Sequence, residues 1–332
     1  NLTVINAQRE GIYLTSAIDN DFNLNNVVIT NSGYDGIRAI GVYPIGSDVK
    51  PSNVILNDVN SSHNGSSGIS LEYCSSLADT NGIYDQNGKD GIFIETIYGD
   101  VNLTRTNLTH NDTGLNTYYT PLGYAIRGDL TLNGVNASSN SNGIYINSGV
   151  AGDVFIQDHD NGIDIEQTSM NGNGEQAIYL ETVGGSVTIE EGDYSFNGTI
   201  NNDQAAIDIR QVLNSMTINN IQSIYNDGDA LLLEGVDATI TNSTLSNNGR
   251  YGLILGQLIT TGNITTQATL IGNTITQNQW GGLYLNQATA LIQENDFSNN
   301  AGYGIFLSRE SVVDAGDFND TNITGLGSGS LT

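Results

Sequence analysis

Along this chain, apolar and polar residues alternate in short phrases that return at regular intervals. Gly252-Leu-Ile-Leu, Gly282-Leu-Tyr-Leu and Gly304-Ile-Phe-Leu show the pattern most clearly. Alternation of inward and outward side chains is the period of a β-strand. Between these phrases an inward apolar residue is followed five residues later by a second, and three residues after that by Asn. The triplets are Ile240, Leu245, Asn248; Leu270, Ile275, Asn278; and Ile292, Phe297, Asn300. Upstream the same spacing gives Leu103, Leu108, Asn111; Leu132, Ala137, Asn140; Ile165, Met170, Asn173; Ile189, Tyr194, Asn197; and Ile218, Ser223, Asn226. Leu56, Ser61, Asn64 follows it with Ser in the middle position.

Where the repeat is undecorated its period is 22 residues, as from Gly282 to Gly304. A fixed period of that order marks a repeat architecture. No window carries the 3.6-residue spacing of helical repeats. Short strands joined by Asn, Gly, Asp and Ser turns suit a chain that winds, with each strand lying above its equivalent one coil earlier. The expectation is an all-β, single-domain parallel β-helix of roughly 11–13 coils. Asn64, Asn111, Asn140, Asn173, Asn197, Asn226, Asn248, Asn278 and Asn300 are expected to stack as an internal ladder. Asn also tolerates the left-handed conformation of a sharp turn.

The repeated G-I-x-I/L phrase and the Asn turn resemble the right-handed parallel β-helix superfamily, which holds pectate lyases and NosD-like surface and periplasmic repeat proteins. The resemblance covers nearly the whole chain. It implies right-handed winding, in keeping with the general preference of crossovers. It implies no single activity, because the superfamily includes lyases, hydrolases, epimerases, adhesins and tail fibres.

Taken in order, the solenoid is expected over residues 1–324, with a Gly/Ser-rich tail or linker at 325–332. Insertions are expected at Ala39–Asn53, Asp112–Leu122, 198–205 and 256–268, and Leu77–Gly91 reads as irregular. Residues 143–176 read as one coil with an extra strand or loop. All three prolines, Pro44, Pro51 and Pro121, fall in insertions, as expected where a ladder strand needs its N–H.

The net charge of −27, with nine basic residues, argues against nucleic acid as a partner. It also disfavours polyanionic glycans unless calcium screens the acids. No apolar run approaches membrane length. Cys74 is the only cysteine, so it has no intramolecular partner, and it is expected to be a small buried residue. The chain opens in mid-coil at Leu2-Thr-Val-Ile without an initiator Met, which reads as a processed product or a piece of a longer chain.

Candidate chemistry lies on the outward strand positions. One charged run is Glu72, Glu95 and Arg127, which the resemblance would cast as acids and a proton-abstracting base in a sugar cleft near Tyr118 and Tyr119. An exposed ion-pair ladder is the plainer reading. A second run is Glu181, Arg210 and Glu234, with Asp208 beside Arg210. Phe93, Tyr145, Tyr179, Tyr284 and Phe306 offer flat faces for sugar rings or a protein partner, although aromatics are also simply good strand formers. Asp158, Asp160, Asp164 and Glu166 form the densest acidic cluster, a candidate calcium site or else a solvated turn. The expected function is an extracellular or cell-surface scaffold and recognition domain of a larger surface or secreted protein, with a glycan or surface protein as partner. The alternatives are a polysaccharide lyase, hydrolase or epimerase, and a subunit stacking end to end into a fibre.

Overall fold

The computed structural model describes residues 1–15, 21–41, 52–118, 123–158, 168–200, 204–257 and 264–315. These residues contain no helix, and every strand pair in them is parallel. Two compact units are present, Asn1–Met170 and Asn171–Thr332. In each, two parallel sheets, A and B, face one another across an apolar interior, and among the described residues each unit has six strands in sheet B. The solenoid expected from the spacing is therefore present.

In the first unit, sheet B is built from Ile12–Thr15, Ile37–Ile40, Ile69–Cys74, Asp90–Ile97, Thr113–Thr117 and Asn142–Ile146. Its inward column runs Ile12, Ile37, Ile69, Ile92, Leu115, Ile144. The facing column of sheet A runs Leu24, Leu56, Asp79, Leu103, Leu132, Ile156. In the second unit the corresponding columns are Ile178, Ile207, Leu231, Leu253, Leu283, Ile305 and Ile189, Ile218, Ile240, Leu270, Ile292. From Ile37 and Leu24's successor Leu56 onwards, these apolar residues are at most 5% exposed. Each such side chain removed from water contributes about 1.5–3 kcal/mol, repeated coil after coil.

The Asn ladder is continuous within each unit. In the second, Asn173 Nδ2 donates to Asn197 Oδ1 at 3.0 Å, and the same bond runs on through Asn226, Asn248, Asn278 and Asn300 at 2.9–3.2 Å. Each acceptor oxygen also takes the backbone N–H of the preceding rung, as Asn278 Oδ1 takes that of Asn248 at 2.9 Å. In the first unit the rungs are Ser32, Asn64, Asn87, Asn111 and Asn140. Asn87 and Ser32 were not expected. Asn87 belongs to the triplet Asp79, Tyr84, Asn87, which keeps the five-then-three spacing but places a carboxylate in the apolar position. Leu77–Gly91 is accordingly a regular coil carrying strands Ser76–Thr80 and Ile83–Asp85.

The left-handed residue is the one before the rung, not the rung itself. His63, Gln86, His110 and Ser139 have φ of 53–60° in the first unit, and Phe196, Tyr225, Asn247, Gln277 and Asn299 have φ of 56–60° in the second. The glycine that opens a sheet B strand is explained by the ladder as well. A Cβ on Gly282 would meet Gly304 O at 2.6 Å and Asn300 Nδ2 at 2.8 Å, so the ladder amide packs where a side chain would begin. A second, shorter ladder occupies another corner, with Asn273 Nδ2 donating to Asn295 Oδ1 at 2.8 Å.

Three further expectations are corrected. Thr113–Thr117, placed in an insertion from its polar sequence, is a sheet B strand in register with both neighbours. Leu132 pairs with Ile156, so Ile156 holds the position given to Ile165, which lies outside the described residues, as does the tail at 325–332. Arg127 does not continue the outward strand positions that carry Glu72: Ile126 beside it forms bridges at a corner with Ile97 and Val150, and Asn116 follows Phe93 on the outward face instead.

Candidate functional site

In the first unit, the outward face of sheet B carries the column Tyr13, Arg38, Ser70, Phe93, Asn116, Tyr145. Alternation fixes this column, since the neighbours of each residue are inward Ile, Leu or Ala, with the buried Thr117 after Asn116. Beside it runs the column of residues that precede the strand glycines, including Asp35, Ser67 and Asp90. A third column lies on the turn, where Lys89 N–H donates to Ser66 O at 3.1 Å and Asp112 N–H to Lys89 O at 2.6 Å. The three columns enclose a cleft of ≈ 450 Å³ lined by Asp35, Arg38, Ser66, Ser67, Ser70, Lys89, Asp90, Phe93, Asp112, Asn116 and Tyr118. That volume lies within the range of small-ligand pockets.

One wall is aromatic. Phe93 and Tyr118 have ring centroids 6.3 Å apart and planes inclined at 55°, so the rings are not stacked face to face. The other wall is polar. Asp90 is 5% exposed; its Oδ1 accepts from Asn116 Nδ2 at 3.0 Å, and its Oδ2 from the Ser67 hydroxyl at 3.4 Å. Burial pushes the Asp90 carboxyl up to about 6, helped by the charge of Asp112 and opposed by the Asn116 and Ser67 hydrogen bonds and by Lys89. Asp35 Oδ1 accepts the Ser67 N–H at 3.0 Å. Arg38 reaches away to Glu72, at 3.4 Å.

The expected trio of Glu72, Glu95 and Arg127 is not brought together. A bulge in Asp90–Ile97 sets Glu72 opposite Thr96 and leaves Glu95 unpaired in the ladder. Glu95 accepts from Tyr73 OH at 3.4 Å, and burial followed by the Glu72 charge raises its carboxyl above the ordinary range. The two acids thus lie together next to the cleft, with Arg38 as their cation. Arg127 instead covers the Tyr98 ring at 4.9 Å, because Ile126 forms a corner rather than a strand.

Of the aromatic candidates, Phe93 and Tyr118 line the cleft, and Tyr145 lies in register beyond Asn116. Tyr119 is outside the described residues. In the second unit Tyr179 donates its hydroxyl to Glu181 and lies under Arg210 at 5.5 Å. Arg210 in turn binds Asp208 through two hydrogen bonds of 2.9–3.0 Å and lies 3.7 Å from Glu234, so the second charged run is an ion-pair network. Tyr284 stacks on Tyr251 at 5.2 Å and lies 5.3 Å from Phe306, which stacks on Tyr303 at 5.1 Å. Trp280 meets Tyr251 edge-on at 6.0 Å and carries Arg250 over its ring at 4.6 Å. The four tyrosine and phenylalanine rings turn their faces largely toward one another, a ridge that secures the coils rather than a row of free faces.

Asp160, Asp164 and Glu166 lie outside the described residues, leaving Asp158 alone of that cluster. Among the described residues no three His, Cys, Asp or Glu side chains are grouped to hold a metal ion. The polar wall of the cleft was missed in the sequence because only the residues after each strand glycine were followed. The available signal was the residue before it, as in Asp35-Gly36, Ser67-Gly68 and Asp90-Gly91. The same omission hid Tyr251, Gly281 and Tyr303, which share one column.

The family of right-handed β-helix regions matches residues 152–318, just over half of the chain, and the protein belongs to it. No curated protein and no solved structure matches the chain.

Proposed function

We propose that the protein is an extracellular recognition scaffold, part of a surface or secreted molecule, which holds a sugar of a glycan chain in the first-unit cleft. The supporting observation is the cleft's two unlike walls. Phe93 and Tyr118 suit the apolar face of a pyranose ring, and Asp90, Asn116, Ser67 and Ser70 suit its hydroxyls. Parallel coils supply a rigid frame, because each column is set by backbone register and not by loop conformation. The extracellular placement rests on the resemblance to surface and periplasmic repeat proteins.

Calorimetric titration of the full chain with a panel of oligosaccharides tests this. A ligand in the panel should bind, and Phe93→Ala and Asn116→Ala should each weaken it about tenfold or more, a loss of about 1.4 kcal/mol. Absence of binding to any glycan, or binding indifferent to both variants, would end the proposal. One observation favours a catalytic reading: a buried acid that keeps its proton to about pH 6 beside Asp112 is the kind of group general acid catalysis uses. The expected outcome is nevertheless binding without turnover. Reducing-end or unsaturated products that disappear in Asp90→Asn would establish the enzyme instead.

A further inference from the structure

Resting on the reading that the cleft holds a sugar, we infer that this sugar carries a free amino group, so that the ligand class is an amino-sugar oligomer with protonated amines. Three carboxylates line the cleft: Asp35, Asp90 two coils further on, and Asp112 on the coil after that. Two cations line it as well, but the Arg38 guanidinium is engaged by Glu72 at 3.4 Å, an acid outside the lining. Lys89 offsets one carboxylate and leaves the cleft with an excess of negative charge. The cavity and its aromatic wall make this a recess of stated volume and not merely an acidic surface.

The chemistry of the walls points the same way. An ammonium group has three donors and no acceptor, whereas a carboxylate accepts at several positions. Asp90 spends one hydrogen bond per oxygen on Asn116 and Ser67, which holds both oxygens in place and leaves further acceptor capacity. Opposite, the Phe93 and Tyr118 rings present negative faces that attract a cation as well as the C–H face of the ring. An N-acetylated sugar loses the charge that both walls favour. A uronic acid would bring a fourth carboxylate to three.

The test compares three β-linked oligomers of equal length on the intact chain at physiological ionic strength and about pH 7, above the value of about 6 to which Asp90 is raised: glucosamine, N-acetylglucosamine and glucose, with a linear polyamine as a fourth probe. The glucosamine oligomer should bind about tenfold tighter than its acetylated and neutral counterparts. Asp112→Asn and Asp35→Asn should each remove several-fold of that advantage, weakening the glucosamine oligomer more than the neutral one. Phe93→Ala should weaken all three sugars. Asp112 is exposed, so its variant is expected to fold, and circular dichroism checks this.

Equal affinity for the three oligomers overturns the amino-sugar inference and leaves the glycan reading standing. Polyamine binding as tight as glucosamine overturns it too, because the ring is then not recognised. A preference for glucosamine that survives Asp112→Asn, Asp35→Asn and Phe93→Ala shows attraction to the overall negative charge and likewise overturns it. If no sugar binds, the glycan reading fails first and this inference with it.

Discussion

Asp79 is one of the residues on which the first unit's pH response depends. It sits in the apolar column between Leu56 and Leu103, 1% exposed, with Tyr84 OH donating at 2.8 Å and Thr106 Oγ1 at 2.7 Å. Burial pushes its carboxyl from 3.8 up to about 6, against the opposing hydrogen bonds from Thr106, Tyr84 and Gly82. A folded-state value above the unfolded one means that the folded protein holds the proton more tightly. Its contribution is therefore most favourable below about pH 4 and is lost as pH rises through about 6. Asp79→Asn carries no charge at any pH. Relative to the parent, the variant should gain about 1–3 kcal/mol between pH 4 and pH 7.5, read as the change in their difference in unfolding free energy. Taking the difference cancels Asp90, which titrates in the same range in both proteins. A difference that stays flat across this range would mean that Asp79 is ionised throughout. The ladder supplies a second prediction at this scale. Asn248→Ala leaves the buried Asn226 backbone N–H and side-chain amide without the acceptor they share. At about 1–3 kcal/mol per stranded group, denaturant unfolding should show a loss of about 2–5 kcal/mol. A loss below about 0.5 kcal/mol, the usual range of surface substitutions, would remove the ladder from the stabilising interactions. Asn64, Asn111 and Asn197 lie in glycosylation sequons, but their amides are buried and bonded in this ladder, so a glycan there would break it.

At the scale of the strand, legibility depended on whether a position reports its own burial. The alternation in Gly282-Leu-Tyr-Leu and the five-then-three spacing are local, and they placed the columns of the second unit correctly. Thr113–Thr117 was hidden because Leu115 is its single large apolar residue; its register comes from the strands on either side. Asp79 hid a whole coil because its burial is compensated by Tyr84 and Thr106, which are five and 27 residues away. The cleft was half legible for the same reason. Phe93 follows from alternation, but Asp35, Lys89 and Asp112 converge only through the stacking of turns from separate coils. The strand glycines give a test of the packing argument. Gly282→Ala drives a Cβ against backbone at 2.6 Å, whereas at Gly256 the nearest atoms, from 3.1 Å, belong to the movable Glu234 side chain. Gly282→Ala should cost about 1–3 kcal/mol, and Gly256→Ala should stay within about 0.5 kcal/mol of the parent. Equal costs would show that glycine is required by the chain path and not by the ladder amide.

At the scale of the molecule, the excess of acid governs which partners approach. Nine basic residues against 36 acidic ones give the net charge of −27. Such a field repels polyanions and draws in cations over a range set by salt, about 30 Å at 0.01 M and about 8 Å at physiological ionic strength. Long-range attraction acts on the rate of encounter, whereas contacts inside a cleft act on the rate of release. The two can therefore be separated for a cationic oligomer bound between Phe93 and the three aspartates. Its association rate should fall several-fold as ionic strength rises over this range, with the dissociation rate changing much less. The association rate of a neutral oligomer of the same length should be indifferent to salt. A polyuronate or heparin should show no binding at either ionic strength without a divalent cation, because every approach meets like charge. Stopped-flow measurement on the three ligands gives the answer. A dissociation rate that rises with salt as steeply as association falls would mean that the cation is held by the diffuse field alone. In that case the convergence of Asp35, Asp90 and Asp112 would add nothing to recognition.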